Sequence, residues 1–310
     1  MDIVHGYCAC KSKFRLSRLL ERWLVVLFWS VIISSGVMFL DRNVRSVSEM
    51  ISMFFPVLRG RYWFFNAFFV LFMFEPILNH VVATLNKKKY LLMLIAIGVI
   101  FCIIPVAALG NDVLKISGGA EFCWFFALYL IGGYLYKFKV LQKINYNNWL
   151  NLMIVIILAM LTVAYKGMIE HLTQTLLGKR LFGELLWTNT SPIILGEAIF
   201  LFLFFCRLRI KNNSFLAHMV NYISPLVFSI YLIHVHPLIF WHVTVVNAFA
   251  PIADLNPLIT TISVMGIAGA VYSVCLVLDL IRMGLFKKLR VNEICDKSGR
   301  EIMKQISKVI

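Results

Sequence analysis

The sequence predicts an all-α protein, a polytopic bundle of transmembrane helices with about eight spans. Three observations support this fold class: 61% of the 310 residues are hydrophobic, the apolar residues are concentrated in eight separate runs, and basic segments lie between many of those runs. A bilayer core about 30 Å thick needs roughly 20 helical residues to cross, and most of the runs approach or exceed that length. A soluble fold is therefore excluded.

Each run is interpreted as one spanning helix. In order, the runs are Leu19–Leu40, Tyr62–Leu85, Tyr90–Leu109, Ala120–Tyr136, Trp149–Tyr165, Ile193–Cys206, Ile223–Val246 and Leu258–Gly284. The fourth and sixth are short, and we expect them to borrow flanking residues. No repeat or linker marks a second domain, so we predict a membrane domain over residues 1–284 and a basic cytoplasmic tail over residues 285–310.

Lysine and arginine are distributed asymmetrically among the segments that join the runs. If the N-terminus is cytoplasmic, the inside segments carry 20 of these residues and the outside segments carry 8. This is the usual signature of membrane topology, so both termini are predicted to be cytoplasmic. Topology thus explains the net charge of +15, and no nucleic-acid partner is predicted. In the outside segment 166–192, apolar residues at helical spacing predict a short helix on the membrane surface.

The second run contains polar residues that a bilayer normally excludes. Asn66, Glu75 and Asn79 all lie within it. A polar group inside a membrane is unfavourable by a few kcal/mol, so such residues are candidates for function. Glu75 and Asn79 are four residues apart and share one helical face. Two interpretations are open: these side chains fix helix packing through hydrogen bonds, or they line a cleft.

The seventh run holds a second polar group. Ser224, Tyr231 and His234 are separated by seven and three residues, which places them on one face of a helix. His234 and His236 are only two residues apart and point to different faces, so no metal site is predicted. The seven scattered cysteines suggest neither a disulfide framework nor a zinc site. A tyrosine–histidine pair that faces a cleft and a hydrogen-bonded structural histidine are both compatible with the spacing.

Two arginines precede the first run. Arg15 and Arg18 are three residues apart, on one side of what is predicted to be the cytoplasmic start of a helix. A guanidinium group can bind phosphate in a planar fork. Basic residues at this position also lie near anionic lipid headgroups in ordinary membrane proteins. The two arginines by themselves do not decide between these roles.

Four segments together resemble the acyltransferase 3 family of integral membrane O-acyltransferases. In order, they read GYCACKSKFRLSRLLERWLVVLFWS, RYWFFNAFFVLFMFEPILNHVV, FALYLIGGYLYKF and SPLVFSIYLIHVHPLI. They are similar to the family's segment with KSKF and RxxR, its YWF segment, its YLxG segment and its late Ser…YLxH…P signature. The matches cover essentially the whole chain. The closest similarity is to members that O-acetylate bacterial surface polysaccharides.

The resemblance implies a membrane enzyme of ten helices that takes an acyl group from cytoplasmic acyl-CoA, here acetyl-CoA. It passes that group to a hydroxyl of a cell-surface glycan or a lipid-linked sugar, and the implied location is the cell (inner) membrane. The family's RxxR motif falls on Arg15 and Arg18, which would bind the acyl donor. Its Tyr–His signature falls on Tyr231 and His234, which become the candidate catalytic residues. The residues expected to line the cleft are Asn66, Glu75, Asn79 and Ser224.

The chain also departs from the family's pattern. The family's first helix carries an Arg and a presumed catalytic His, whereas this sequence resembles the family only from the end of the second helix. We therefore expect eight helices instead of ten. His5 and Glu75 each stand where the family has serine, and His5 is not expected to replace the missing base. The sequence leaves open an active acyltransferase, a truncated non-catalytic relative, and a transporter or flippase.

Overall fold

The computed structural model describes residues 2–12, 14–113, 115, 117–119 and 121–309, and these residues form helices and no strand. The longer helices are α1 (Asp2–Ala9), α2 (Leu16–Leu40), α3 (Val47–Phe54), α4 (Trp63–Thr84), α5 (Lys87–Ala107), α6 (Phe122–Lys137), α7 (Trp149–Leu177), α8 (Pro192–Arg207), α9 (Phe215–His234), α10 (Pro257–Lys288) and α11 (Val291–Val309). The shorter helical segments are Arg42–Val44, Ser117–Gly119, Val140–Lys143, Pro237–Ile239, Phe240–Phe249 and Ala250–Ile252.

Six helices in this described part are long and apolar enough to cross a membrane: α2, α4, α5, α7, α9 and α10. The predicted all-α membrane fold is therefore confirmed. The helices of the fourth and sixth predicted spans, α6 and α8, have 16 residues each. At 1.5 Å per residue each is about 24 Å long, which is less than a bilayer core of about 30 Å. Six of the eight predicted spans are thus matched by helices of spanning length, and α6 and α8 are the two short ones.

Backbone geometry explains why the two short helices do not lengthen. After α6 ends, Lys139 adopts a left-handed conformation with φ of 51°, which a continuing α-helix does not tolerate. α8 begins at Pro192, and Ser191 before it has ψ of 136°. A residue that precedes proline is disfavoured in the α conformation, so the helix cannot extend backwards.

Two other boundaries differ from the predictions. The prediction of a short surface helix within residues 166–192 is wrong. α7 instead continues as one helix of 29 residues to Leu177, and Gly178, which has φ of 68°, ends it. The seventh span was predicted as Ile223–Val246, but α9 starts eight residues earlier, at Phe215. It ends at His234 because His236 precedes Pro237 and takes an extended ψ of 128°.

The helices form two compact units. The first unit contains Met1–Phe14 and Ala67–Arg209, and the second contains Arg15–Asn66 and Ile210–Ile310. The predicted boundary between a membrane domain at 1–284 and a tail at 285–310 is a different division and stays a prediction. α11 forms most of that tail.

In the first unit, α1 lies directly against α6. Glycines make this contact possible: a Cβ atom on Gly6 would collide with the Tyr129 carbonyl, and one on Gly132 would collide with the Ile3 carbonyl. Small residues at helix crossings allow such close backbone approach inside membranes. The neighbouring core is formed by Ile3, Leu135, Phe202 and Leu203.

In the second unit, α2 is the central helix and packs against α3, α9 and α11. Its buried side chains include Trp29, whose indole N–H donates to Asp279 of α10 over 3.2 Å. Asp279 in turn accepts two hydrogen bonds from Arg282, at 2.5 and 2.9 Å. Asp279 is fully buried, so this pairing leaves no isolated charge in the apolar interior.

Candidate functional site

The two arginines of the RxxR motif lie at the start of α2. Arg15 is the residue just before the helix, Arg18 lies in its first turn, and both side chains are exposed. Both arginines are therefore open to a phosphate ligand, as the phosphate interpretation of the motif requires.

α9 runs parallel to α2. In its second half, Phe228 lies under the guanidinium of Arg22, with 5.6 Å between the guanidinium carbon and the ring centroid. Just beyond its end, His236 Nε2 is 3.4 Å from the Ser34 hydroxyl. Since Arg18 and Ser34 are 16 residues apart on one helix, the arginines and the end of α9 are separated by about 24 Å along α2.

His234 is the last residue of α9 and is half-buried. Its Nδ1 atom lies 2.6 Å from the Ile230 carbonyl oxygen, which can only accept a hydrogen bond. Nδ1 must therefore carry the proton, and in the neutral imidazole Nε2 keeps a lone pair. This tautomer is the one in which Nε2 can accept a proton from a substrate.

Two tyrosines lie beside the imidazoles of this region. The ring centroid of Tyr231 is 6.3 Å from that of His234 and 6.3 Å from that of Tyr62. Tyr62 is fully buried, and its hydroxyl has no hydrogen-bond partner among the described residues. The Tyr231 hydroxyl lies beside the backbone N–H groups of Phe64 and Phe65, which can donate to its oxygen but cannot accept its proton. Buried hydroxyls normally also donate, so two tyrosine protons without an acceptor among the described residues, near a histidine, indicate a place for a ligand oxygen.

A charged network surrounds Ser34 next to these residues. The Arg61 guanidinium donates to Ser30 over 3.1 Å, to Ser34 over 3.0 Å, and also to Glu49. The Ser34 hydroxyl donates to Glu49 over 3.0 Å. His236 Nδ1 accepts from the backbone N–H of Leu238, so its Nε2–H donates to Ser34. Ser34 thus uses its one proton and both lone pairs.

The other sequence-predicted residues of this unit are placed as follows. Asn66 donates from Nδ2 to the Val57 carbonyl over 3.0 Å, and its Oδ1 is buried without a partner among the described residues. Ser224 is exposed at the start of a 3₁₀ turn within α9. The turn interrupts the helical periodicity that was expected to connect Ser224 with Tyr231.

Glu75 and Asn79 belong to the first unit. Glu75 is buried, and its Oε2 lies 3.7 Å from Nε2 of His5. Asn79 accepts a hydrogen bond of 2.7 Å from the Tyr129 hydroxyl. The structure therefore pairs His5 with Glu75, the two positions that depart from the family's serines. A single cleft formed by Glu75, Asn66 and His234 involves both units and stays a prediction.

The chain matches a family model described as an acyltransferase domain, over residues 11–279. The chain belongs to the acyltransferase 3 family. The recognition made from the four sequence segments is confirmed. The matched range includes Arg15, Arg18, Tyr231 and His234, whereas α11 lies outside it. The searches of curated proteins and of solved structures found no significant match.

Sequence reasoning missed three features of this acyltransferase 3 chain: the Arg61–Glu49 network, the role of Tyr62 and the His5–Glu75 pair. Only the first had a usable local signal. Ser46 caps α3 by accepting a hydrogen bond of 3.0 Å from the Glu49 N–H. This contact is half of a capping box, and the sequence SVSE has the spacing that predicts one with Glu49 as its acidic residue. Within the described residues, no group of three His, Cys, Asp or Glu side chains could hold a metal ion.

The first unit of this acyltransferase also has a half-open pocket of about 460 Å³ with a mixed polar and apolar lining. Small-ligand sites commonly measure about 300–1,000 Å³. Its polar lining side chains are Asn111, Asp112, Glu170, Arg180, Glu184, Thr188 and Thr190. Such a lining offers hydrogen bonds to a hydroxylated ligand.

Proposed function

We propose that the protein transfers an acetyl group from acetyl-CoA to a hydroxyl of a cell-surface glycan or a lipid-linked sugar. The observation that carries this proposal is the match to an acyltransferase domain over residues 11–279. The placement of Arg15 and Arg18 at one end of α2 and of His234 near the other end supports it.

The donor would enter from the cytoplasm. In the eight-span topology, 20 basic residues lie on the side of the termini and 8 on the other side. This distribution supports a protein in the cell (inner) membrane whose termini are both cytoplasmic, and Arg15 and Arg18 then face the cytoplasm. There the two guanidinium groups would bind the phosphates of acetyl-CoA through charge-assisted hydrogen bonds. The extended arm of the coenzyme would follow α2 and present the thioester near His234.

The reaction follows from the protonation states of the site. His234 Nε2 would accept the proton of the acceptor hydroxyl while the acceptor oxygen bonds to the thioester carbonyl carbon. The hydroxyls of Tyr62 and Tyr231 would donate hydrogen bonds to the carbonyl oxygen, which becomes an oxyanion in the tetrahedral intermediate. The carbon–sulfur bond then breaks, the acetyl ester remains on the acceptor, and the proton on Nε2 passes to the departing thiolate.

A genetic experiment tests this function. A strain that lacks the gene should lose O-acetyl signals from the proton NMR spectrum of its surface polysaccharide, and the wild-type gene on a plasmid should restore them. Unchanged O-acetyl content in the deletion strain contradicts the proposed acceptor class. If the protein is a non-catalytic relative or a transporter, a plasmid-borne His234→Ala variant should restore the O-acetyl signals as well as the wild-type gene does.

A further inference from the structure

The last helix, α11, lies alongside the start of α2 in the second unit. Two contacts give its direction: Val291, its first residue, shares a groove with Leu24 and Phe28 of α2, and Gly299, eight residues later, lies against Ser17. The residue numbers rise in α11 while they fall in α2. The two helices are therefore antiparallel, and α11 runs towards the two arginines.

The contact at Gly299 is close. A Cβ atom on this residue would lie 2.8 Å from the Ser17 nitrogen and 3.1 Å from the Ser17 Cα atom. Ser17 lies between Arg15 and Arg18, so the backbone of α11 is in close contact with the backbone of the RxxR motif. Arg300 follows Gly299 directly, is exposed, and brings a third guanidinium to the same level.

Beyond Gly299 the packed face of α11 continues as an apolar surface. Ile302, Met303 and Ile306 are three, four and seven residues after Gly299, so they share its side of the helix. Their exposed fractions are 38%, 40% and 43%. α2 cannot cover them because α2 begins at Leu16, one helical turn short of their level. We call Arg300, Ile302, Met303 and Ile306 the tail surface.

We propose that the tail surface and the two arginines of the motif together bind the 3′-phosphoadenosine diphosphate end of acyl-CoA. Arg15, Arg18 and Arg300 supply planar cations for the phosphate groups, and the apolar side chains supply a face for the flat adenine ring. This inference rests on the proposed function and adds a second element to the donor site. α11 lies outside residues 11–279, so the family match does not assign it this role.

Lipid headgroups carry phosphate as well, and they are the alternative source of the same ligand chemistry. The two sources differ in the apolar part of the ligand. A lipid headgroup needs only the arginines for its phosphate and has no flat apolar ring for Met303 to contact. An adenine ring has one, so coenzyme A binding should depend on Met303. Coenzyme A binding in a membrane without anionic lipid therefore separates them.

The test uses the full chain in phosphatidylcholine nanodiscs and titration calorimetry with two probes, coenzyme A and adenosine 3′,5′-bisphosphate. Arg15→Gln with Arg18→Gln should weaken coenzyme A binding by about tenfold or more, since hydrogen bonds between charged groups are the strong ones. Met303→Asp should weaken both probes by at least about fivefold through charge repulsion and lost apolar contact, and Met303→Leu should restore wild-type affinity.

Ile294→Asp is the matched control for the aspartate substitution. Ile294 lies on the same helix, is 57% exposed, and stands five residues before Gly299, on another side of α11. It should bind both probes like the wild type, as should Lys87→Gln with Lys88→Gln in the first unit. Each variant is first checked for wild-type helix content and thermal midpoint.

The outcomes are distinguishable. If the motif arginines matter and Met303→Asp binds like the wild type, the role of the tail surface is overturned while the proposed function stands. A Met303→Asp effect that appears only after phosphatidylglycerol is added overturns it in favour of headgroup binding. If the wild type binds neither probe, the proposed donor itself fails, and this inference fails with it.

Discussion

Replacement of His234 by alanine is expected to lower the rate of acyl transfer by at least about 100-fold, because a positioned general base contributes roughly 10²–10⁴-fold. The Ile230 carbonyl fixes the tautomer in which Nε2 is unprotonated, so the substitution removes that lone pair. The rate is measured as free coenzyme A thiol released from acetyl-CoA in the presence of the acceptor. Coenzyme A binding should be unchanged, since Arg15 and Arg18 lie about 24 Å away along α2.

His218→Ala is the matched control for this prediction. His218 belongs to the same helix, and its Nδ1 lies 3.1 Å from the Ser214 carbonyl, so its local hydrogen bond is of the same kind. Its side chain is exposed and far in sequence from Tyr231. The control should retain wild-type activity. A His234→Ala protein that transfers acetyl groups as fast as His218→Ala would show that His234 is not the base.

Arg61→Met is expected to lower the free energy of unfolding by up to about 3–5 kcal/mol, because it leaves the carboxylate of Glu49, whose side chain is only 16% exposed, without its cation. Arg61 is 9% exposed, and its loss takes a donor from Glu49, Ser30 and Ser34 together. The free energy is measured in mixed micelles by SDS titration. Because Ser34 also receives the His236 N–H, the end of α9 should lose order as well.

The double variant Arg61→Met with Glu49→Met should recover a large part of that loss, since it removes both charges of the pair. Arg290→Met is the exposed counterpart. Arg290 is 3.9 Å from Glu293, with side chains 76% and 72% exposed, and surface pairs of this kind contribute little. Equal destabilisation by Arg61→Met and Arg290→Met would mean that the buried network does not hold the second unit together.

The apolar runs predicted which parts of the chain are helical, because the requirement to span a bilayer leaves a strong local signal. The ends of helices were predicted less well. Pro237 and the extended residue before it stop α9, whereas nothing between Trp149 and Leu177 stops α7. Hydropathy alone does not distinguish a run that continues from a run that breaks, since the decision depends on backbone geometry at one or two residues.

The candidate site was predictable only where its residues lie close together in sequence. The spacing of Tyr231 and His234 was informative because both belong to one helix. Arg61 with Ser34, and His5 with Glu75, are joined by contacts between separate segments of the chain, and periodicity reports only on the helix in which it occurs. Such pairs are visible in a single sequence only as polar residues without an explanation.

Reconstitution tests most directly whether this chain transfers an acetyl group. The purified protein is placed in liposomes with acetyl-CoA labelled in the acetyl carbonyl and with de-O-acetylated surface polysaccharide as the acceptor. We expect the label to appear on the polysaccharide as an alkali-labile ester, with one coenzyme A thiol released per ester formed and with no transfer by His234→Ala. Unlabelled polysaccharide, under conditions where coenzyme A binds the wild type, would contradict the proposed transfer.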